Sequence, residues 1–248
     1  MGWMVVVVFG GTYAACAALY GLAQLLGRSE AGRRAHSVTA ALLSPLGVVF
    51  GLLVVFTGAQ VWGDVDRARA AVNQEANALR TAVLLTGVFP DSSARRFRAL
   101  VRRQIDSEVA VEWPAMARGE ATLSTIPPAM GEALTLATSL EPTRPGQVAA
   151  QRELISALTN ALEARRLRIL TSHAQVNGLK WAGILLQALC TLAAIALVHA
   201  DNRSAAVAGL GLFGTAVSIC LLLLLAHDKA YTGFYSVHPT ALLEVRPR

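Results

Sequence analysis

Four long apolar runs without a single charged side chain decide what this chain can become. They are Trp3 to Leu26, Val38 to Trp62, Trp181 to Val198 and Ala205 to Ala226. Each is close to the ~20 residues with which a helix crosses a ~30 Å hydrocarbon layer. Only 15% of the 248 residues are charged and the mean hydropathy is +0.48, so the chain reads as a membrane protein rather than a soluble domain with a large core. The first run reads as a retained span. No basic segment precedes Trp3, and the run exceeds the roughly 7 to 15 residues of a signal core. Val6 stands where a myristoylation pattern wants Ser or Thr, so the chain is expected to enter the bilayer by its helices alone. The reading divides it into 1–62 (spans one and two), 63–180 (a long polar segment), 181–226 (spans three and four) and 227–248 (a tail).

Basic residues set the expected sidedness. The two short loops hold Arg28, Arg33, Arg34 and Arg203. The other face holds Arg67, Arg69, Arg80, Arg165, Arg166, Arg168, Lys180, Lys229, Arg246 and Arg248, ten against four. The positive-inside rule therefore predicts a cytoplasmic N-terminus, long segment and C-terminus.

The long segment reads as helices. No proline lies between Gly47 and Thr86, and Val65, Val72 and Leu79 recur every seven residues with Ala68, Ala76 and Val83 between them. The second span should thus continue unbroken past the membrane, to about 60 Å at 1.5 Å per residue. Pro90-Asp91-Ser92-Ser93 predicts a turn and an N-cap; Phe97, Leu100, Val101, Ile105 and Val109 mark the next apolar face, which Pro114 should end. A loop with Gly119, Pro127 and Pro128 leads to a short helix over 129–139, and Pro142 with Pro145-Gly146 breaks the chain again. Val148, Leu154, Ile155, Leu158, Leu162 and Ile169 then carry a helical period toward the third span, up to a break signal at Asn177-Gly178. The expectation is an all-α fold: four transmembrane helices, an extended second helix and a helical cytoplasmic domain between helices two and three.

Little in the sequence carries reaction chemistry. Cys16, Cys190 and Cys220 lie inside apolar runs without a CxxC pair, so no disulfide framework or zinc site is expected and all three read as small packing residues. His36, His173, His199, His227 and His238 form no i, i+4 ligand pair and no nucleophile-base arrangement. Neither an enzyme nor a cofactor or metal protein is expected. Gly209-Leu210-Gly211-Leu212-Phe213-Gly214 matches a dinucleotide pattern, but it lies within the fourth apolar run with no strand before it and reads as close helix packing. Trp62 and Trp181 read as interfacial anchors. Arg95, Arg96, Arg98, Arg102 and Arg103 crowd one helix start, against its macrodipole. A solvated face is the plain reading; anion attraction or contact with lipid phosphates is the functional one. Nucleic acid is not expected as a partner, since no aromatics beyond Phe97 interleave with these arginines.

Three stretches in order resemble a family. They are Val61-Trp62 with Asn73-Gln74-Glu75-Ala76-Asn77-Ala78-Leu79, then Glu112-Trp113-Pro114-Ala115-Met116, then His227-Asp228-Lys229-Ala230-Tyr231-Thr232-Gly233. Together they are similar to the bacterial bestrophin-like membrane proteins, whose tail pattern is Leu-Asp-Arg-Pro-Phe-x-Gly. The resemblance implies four transmembrane helices, a helical cytoplasmic domain and the bacterial inner membrane. True bestrophins, more distantly linked, are homo-pentameric anion channels, which makes lipid, further copies of the chain and small anions the expected partners. No acidic run looks like the calcium clasp of the animal channels.

With that resemblance in hand, Glu75 is placed on a polar face of the extended helix, where it could line a polar path or cap a helix contact between subunits, and its neighbours Asn73, Gln74 and Asn77 favour the structural reading through ordinary hydrogen bonding. In the second span Gly47, Gly51 and Gly58 share one face, within about 40° at 100° per residue, where another helix can approach closely. If that helix lines an axial pore, the face holding Val49, Leu53, Phe56 and Gln60 becomes its candidate lining, three of the four being apolar. Three functions stay open: an anion channel, a membrane-anchored scaffold or sensor binding a partner through its cytoplasmic helices, and an ion-coupled carrier. The uncharged spans disfavour the carrier.

Overall fold

The computed structural model describes residues 2–26, 30–124, 126–233 and 235–247, and the side chains of 26 and 30–39 are not described. Arg28 and Arg248, with the side chains of Arg33, Arg34 and His36, therefore lie outside the described residues. The elements are α1 (Gly2–Leu26), α2 (Glu30–Leu85), a 3-10 turn (Thr86–Val88), α3 (Asp91–Ser107), a π turn (Glu108–Glu112), α4 (Trp113–Arg118), α5 (Pro128–Thr138), α6 (Pro145–Ser172), α7 (Gly178–Val198), α8 (Arg203–His227) and α9 (Thr240–Glu244). No strand occurs among the described residues. Among the described residues, four helices are long and apolar enough to cross a membrane.

Helix α2 is one helix of 56 residues. It starts at Glu30, eight positions before its apolar run, and so takes in most of what the sequence left as a loop. The chain folds into two compact units, one of residues 1–62 and 175–228, the other of 63–174 and 229–248.

In the first unit, small residues let α8 approach its neighbours. A Cβ added at Gly214 would stand 3.0 Å from Cys16 Sγ on α1, and one at Gly209 would stand 3.1 Å from Ile195 Cγ2 on α7. The dinucleotide-like run is thus a packing surface, at two of its three glycines. Phe50, Ile184, Ala188, Val217, Leu221 and Leu224 make a second apolar cluster, with the Phe50 and Phe213 ring centroids 5.5 Å apart. Asn177 caps α7 by accepting from the Lys180 N–H at 2.9 Å, and Asn202 caps α8 by accepting from the Ala205 N–H at 3.1 Å. Cys16 is buried but Cys190 is exposed and Cys220 half-exposed within the single chain, so the packing role expected of all three holds inside the chain for Cys16.

In the second unit, the stripe Val65, Ala68, Val72, Ala76 and Leu79 is buried against Phe97, Leu100, Val101 and Ile105 of α3, Met130 and Ala133 of α5, and Leu154 and Leu158 of α6, all in one apolar core. Three local expectations fail. The α3 start has no side-chain cap: Pro90 is the N-cap, its carbonyl accepting from the Ala94 N–H at 3.1 Å, and Asp91 is already helical. Pro114 does not end the helix. A π turn widens the backbone just before it, with the Trp113 N–H reaching back five residues to the Glu108 carbonyl, and Pro114 falls in the first turn of α4, where no N–H is needed. Gly119, at φ 73°, closes α4 instead. The segment read as a tail is part of this core, because Ala230, Tyr231, Val237 and Leu242 supply buried apolar surface.

Candidate functional site

In the first unit, α2 turns Phe50, Val54, Thr57 and Val61 inward at helical spacing, and Phe50, Thr57 and Val61 are buried. The candidate lining Val49, Leu53, Phe56 and Gln60 flanks that face on one side and remains open: Val49, Leu53 and Phe56 are exposed, Phe56 by 69%. The glycines flank it on the other side. A Cβ at Gly58 would stand 3.8 Å from Leu224, while Gly47 and Gly51 have nothing within 4 Å, so the glycine face meets a helix of its own chain at Gly58 alone. Within the chain, 11% of the most apolar stretch of the α2 span is buried, the same share as in α1, against 39% for α7 and 33% for α8. Leu53, Phe56, Thr57 and Gln60 line an open groove of about 320 Å³ with Leu179, Lys180, Gly183 and Ile184 of α7. Lys180 is the one charged side chain on that groove, and its ammonium donates to the Gln60 side-chain carbonyl.

The second unit holds a buried charge network. Arg168 of α6 is fully buried; its Nε and Nη2 donate to Glu75 Oε2 and Oε1 of α2 at 2.6 and 3.1 Å. Nη2 also donates to Glu112 Oε2 at 3.1 Å, and the guanidinium carbon lies 5.2 Å from the centre of the Trp113 ring. Arg165 donates to Glu112 Oε1 from Nη2 and Nε at 2.6 and 2.8 Å. Burial works against the Arg168 cation, but the carboxylates around it, Glu75 foremost, outweigh that and raise its pKa above the ordinary arginine value. Glu108, on the π turn, is buried too, and its Oε1 lies 3.6 Å from Arg168 Nη2, beyond hydrogen-bond length. It accepts from Gln104 Nε2 at 2.6 Å. Burial and then the charge of Glu75 push the Glu108 carboxyl well above the usual carboxylate range, against the smaller opposite pull of Arg168. Trp113 is also anchored, donating from Nε1 to the Val237 carbonyl at 3.3 Å and meeting the Tyr231 ring edge-on with centroids 5.6 Å apart.

Glu75 thus sits on the buried face of α2, not on a polar one, and its partner is Arg168 rather than its sequence neighbours. The α3 arginines are all exposed, on the face opposite the α3 core residues. Arg103 pairs with Glu132 and Arg102 lies 4.0 Å from Asp106; among the described residues no ion pair engages Arg95, Arg96 or Arg98. Sequence reasoning passed over Gln104, Glu108, Arg165 and Arg168 as parts of a site. Their signal is phase: Gln104 and Glu108 continue the α3 stripe of Phe97, Leu100 and Val101, and Arg165 and Arg168 continue the α6 stripe of Leu154, Leu158 and Ala161. No group of metal-ligating side chains occurs among the described residues.

A family model described as the bestrophin-like domain matches residues 10–242. No curated protein and no solved structure matches the chain.

Proposed function

The chain belongs to the bestrophin-like family, and from that premise we propose that it is a homo-oligomeric channel for small anions, with five copies placing the α2 face Val49, Leu53, Phe56 and Gln60 around a central axis. The observation that carries this reading is the pair of α2 faces left open within the chain: Val49, Leu53 and Phe56 are exposed, and Gly47 and Gly51, on the small-residue face that admits a close helix, have nothing within 4 Å of a Cβ position. A ring of Leu53 and Phe56 side chains makes an apolar constriction that gates by dewetting. Lys180 supports the anion preference, because five ammoniums beside Gln60 raise the local anion concentration at one end of that constriction. The long segment and both termini face the cytoplasm in this reading, by the excess of basic residues there. The test is chloride efflux from liposomes holding the pure protein. Efflux above that of empty liposomes supports the channel; a folded oligomer that passes no anion favours the scaffold.

A further inference from the structure

Three carboxylates, Glu75, Glu108 and Glu112, share the buried network of the second unit with two guanidiniums, Arg165 and Arg168. The hydrogen bonds divide unevenly. Glu75 and Glu112 each accept from guanidinium N–H groups, and Glu108 accepts from the neutral amide of Gln104 alone. Two buried acceptor atoms are left without a donor, Glu108 Oε2 and Gln104 Oε1. A group at 1% exposure whose charge no cation hydrogen-bonds is the one that a buried network neutralises.

We propose that Glu108 is a proton-binding site: at neutral pH it is an uncharged carboxylic acid whose O–H supplies the missing donor, balancing three carboxyls against two guanidiniums, and it releases that proton on the alkaline side. The groups that act on it are Glu75 from α2, Arg168 from α6 and the Gln104 amide from its own helix, with Glu112 and Arg165 joined to the same network through Arg168 and each other. Release leaves a second negative charge beside Glu75 at the π turn that links α3 to α4. Because the folded state holds a proton that unfolded glutamate loses near pH ~4.3, stability falls as pH rises from there to the folded value. This inference rests on the second unit alone and stands whether or not the chain conducts.

The test is infrared spectroscopy of the full-length protein in detergent, with glutamate carrying a ¹³C side-chain carboxyl. At pH 7 ordinary carboxylates are ionised, so a protonated-carboxyl carbonyl band that shifts with the label is expected in the wild type. It should titrate away at alkaline pH and vanish in Glu108→Gln. Glu75→Gln, which removes the neighbouring charge that opposes ionisation of Glu108, should let the band titrate away at lower pH than in the wild type. In parallel, the thermal midpoint of the wild type should fall with rising pH and that of Glu108→Gln should fall less. No labelled band in the wild type at pH 7, or a band that survives Glu108→Gln, overturns the proposal. Should Glu108→Gln fail to fold, a Glu75→Gln band that does not move to lower pH overturns it equally.

Discussion

Arg168 has no solvent to turn to if its partners are lost, and Glu75 has none if Arg168 is lost, since both are buried. Arg168→Ala should therefore destabilise the second unit by about 3–5 kcal/mol, the usual cost of leaving a buried charge uncompensated. Arg168→Met keeps the volume but still strands Glu75. Pairing it with Glu75→Gln should recover part of the loss, and a double-mutant cycle on chemical denaturation measures it. Arg95→Ala, exposed on α3 and outside any ion pair among the described residues, should change stability by less than about 0.5 kcal/mol in the same assay. On the candidate pore face, Lys180→Glu replaces the one charge lining the α2–α7 groove. Reversal potentials in a salt gradient should then move from anion toward cation preference. An unchanged reversal potential in a conducting variant would remove Lys180 from the selectivity account while leaving the pore in place.

At the scale of elements, the four spans are legible in sequence because hydrophobic length acts locally, and so is the run of the second helix beyond Gly47, where no proline follows until after Thr86, although the helix also takes in Pro45. The seven-residue stripe Val65, Val72, Leu79 marks the buried face of α2 for the same reason. The charge network is not legible in that way. Its members lie on three separate stretches, and each reads alone as an ordinary solvated charge until the α3 and α6 stripes are extended through Gln104, Glu108, Arg165 and Arg168. Pro114 misleads because proline stops an α-helix, whereas a π turn lets the chain pass it. The tail misleads because its buried residues, Tyr231, Val237 and Leu242, show no period long enough to read as an element. Gly214 gives this scale its test. A side chain there must displace Cys16 Sγ, so Gly214→Leu should cost about 1–3 kcal/mol by overpacking and lower the thermal midpoint in detergent, while Gly211→Leu, with nothing within 4 Å of its Cβ position, should be tolerated.

For the whole molecule, α2 contributes residues to both compact units: an open face to the first and a buried stripe with Glu75 to the second. A chain of this kind is expected to be a ring of copies, and native mass spectrometry in mild detergent should give five times the 26.2 kDa subunit. A stable monomer or dimer would remove the basis for a central pore. The central claim, that α2 lines an anion path with Leu53 and Phe56 at its neck, is tested most directly by single-channel recording in planar bilayers. Phe56→Ala and Leu53→Ala, compared with the wild type at equal reconstitution, should each raise the anion conductance or the open probability. Conductance unchanged in both variants, with the assembly intact, would contradict it.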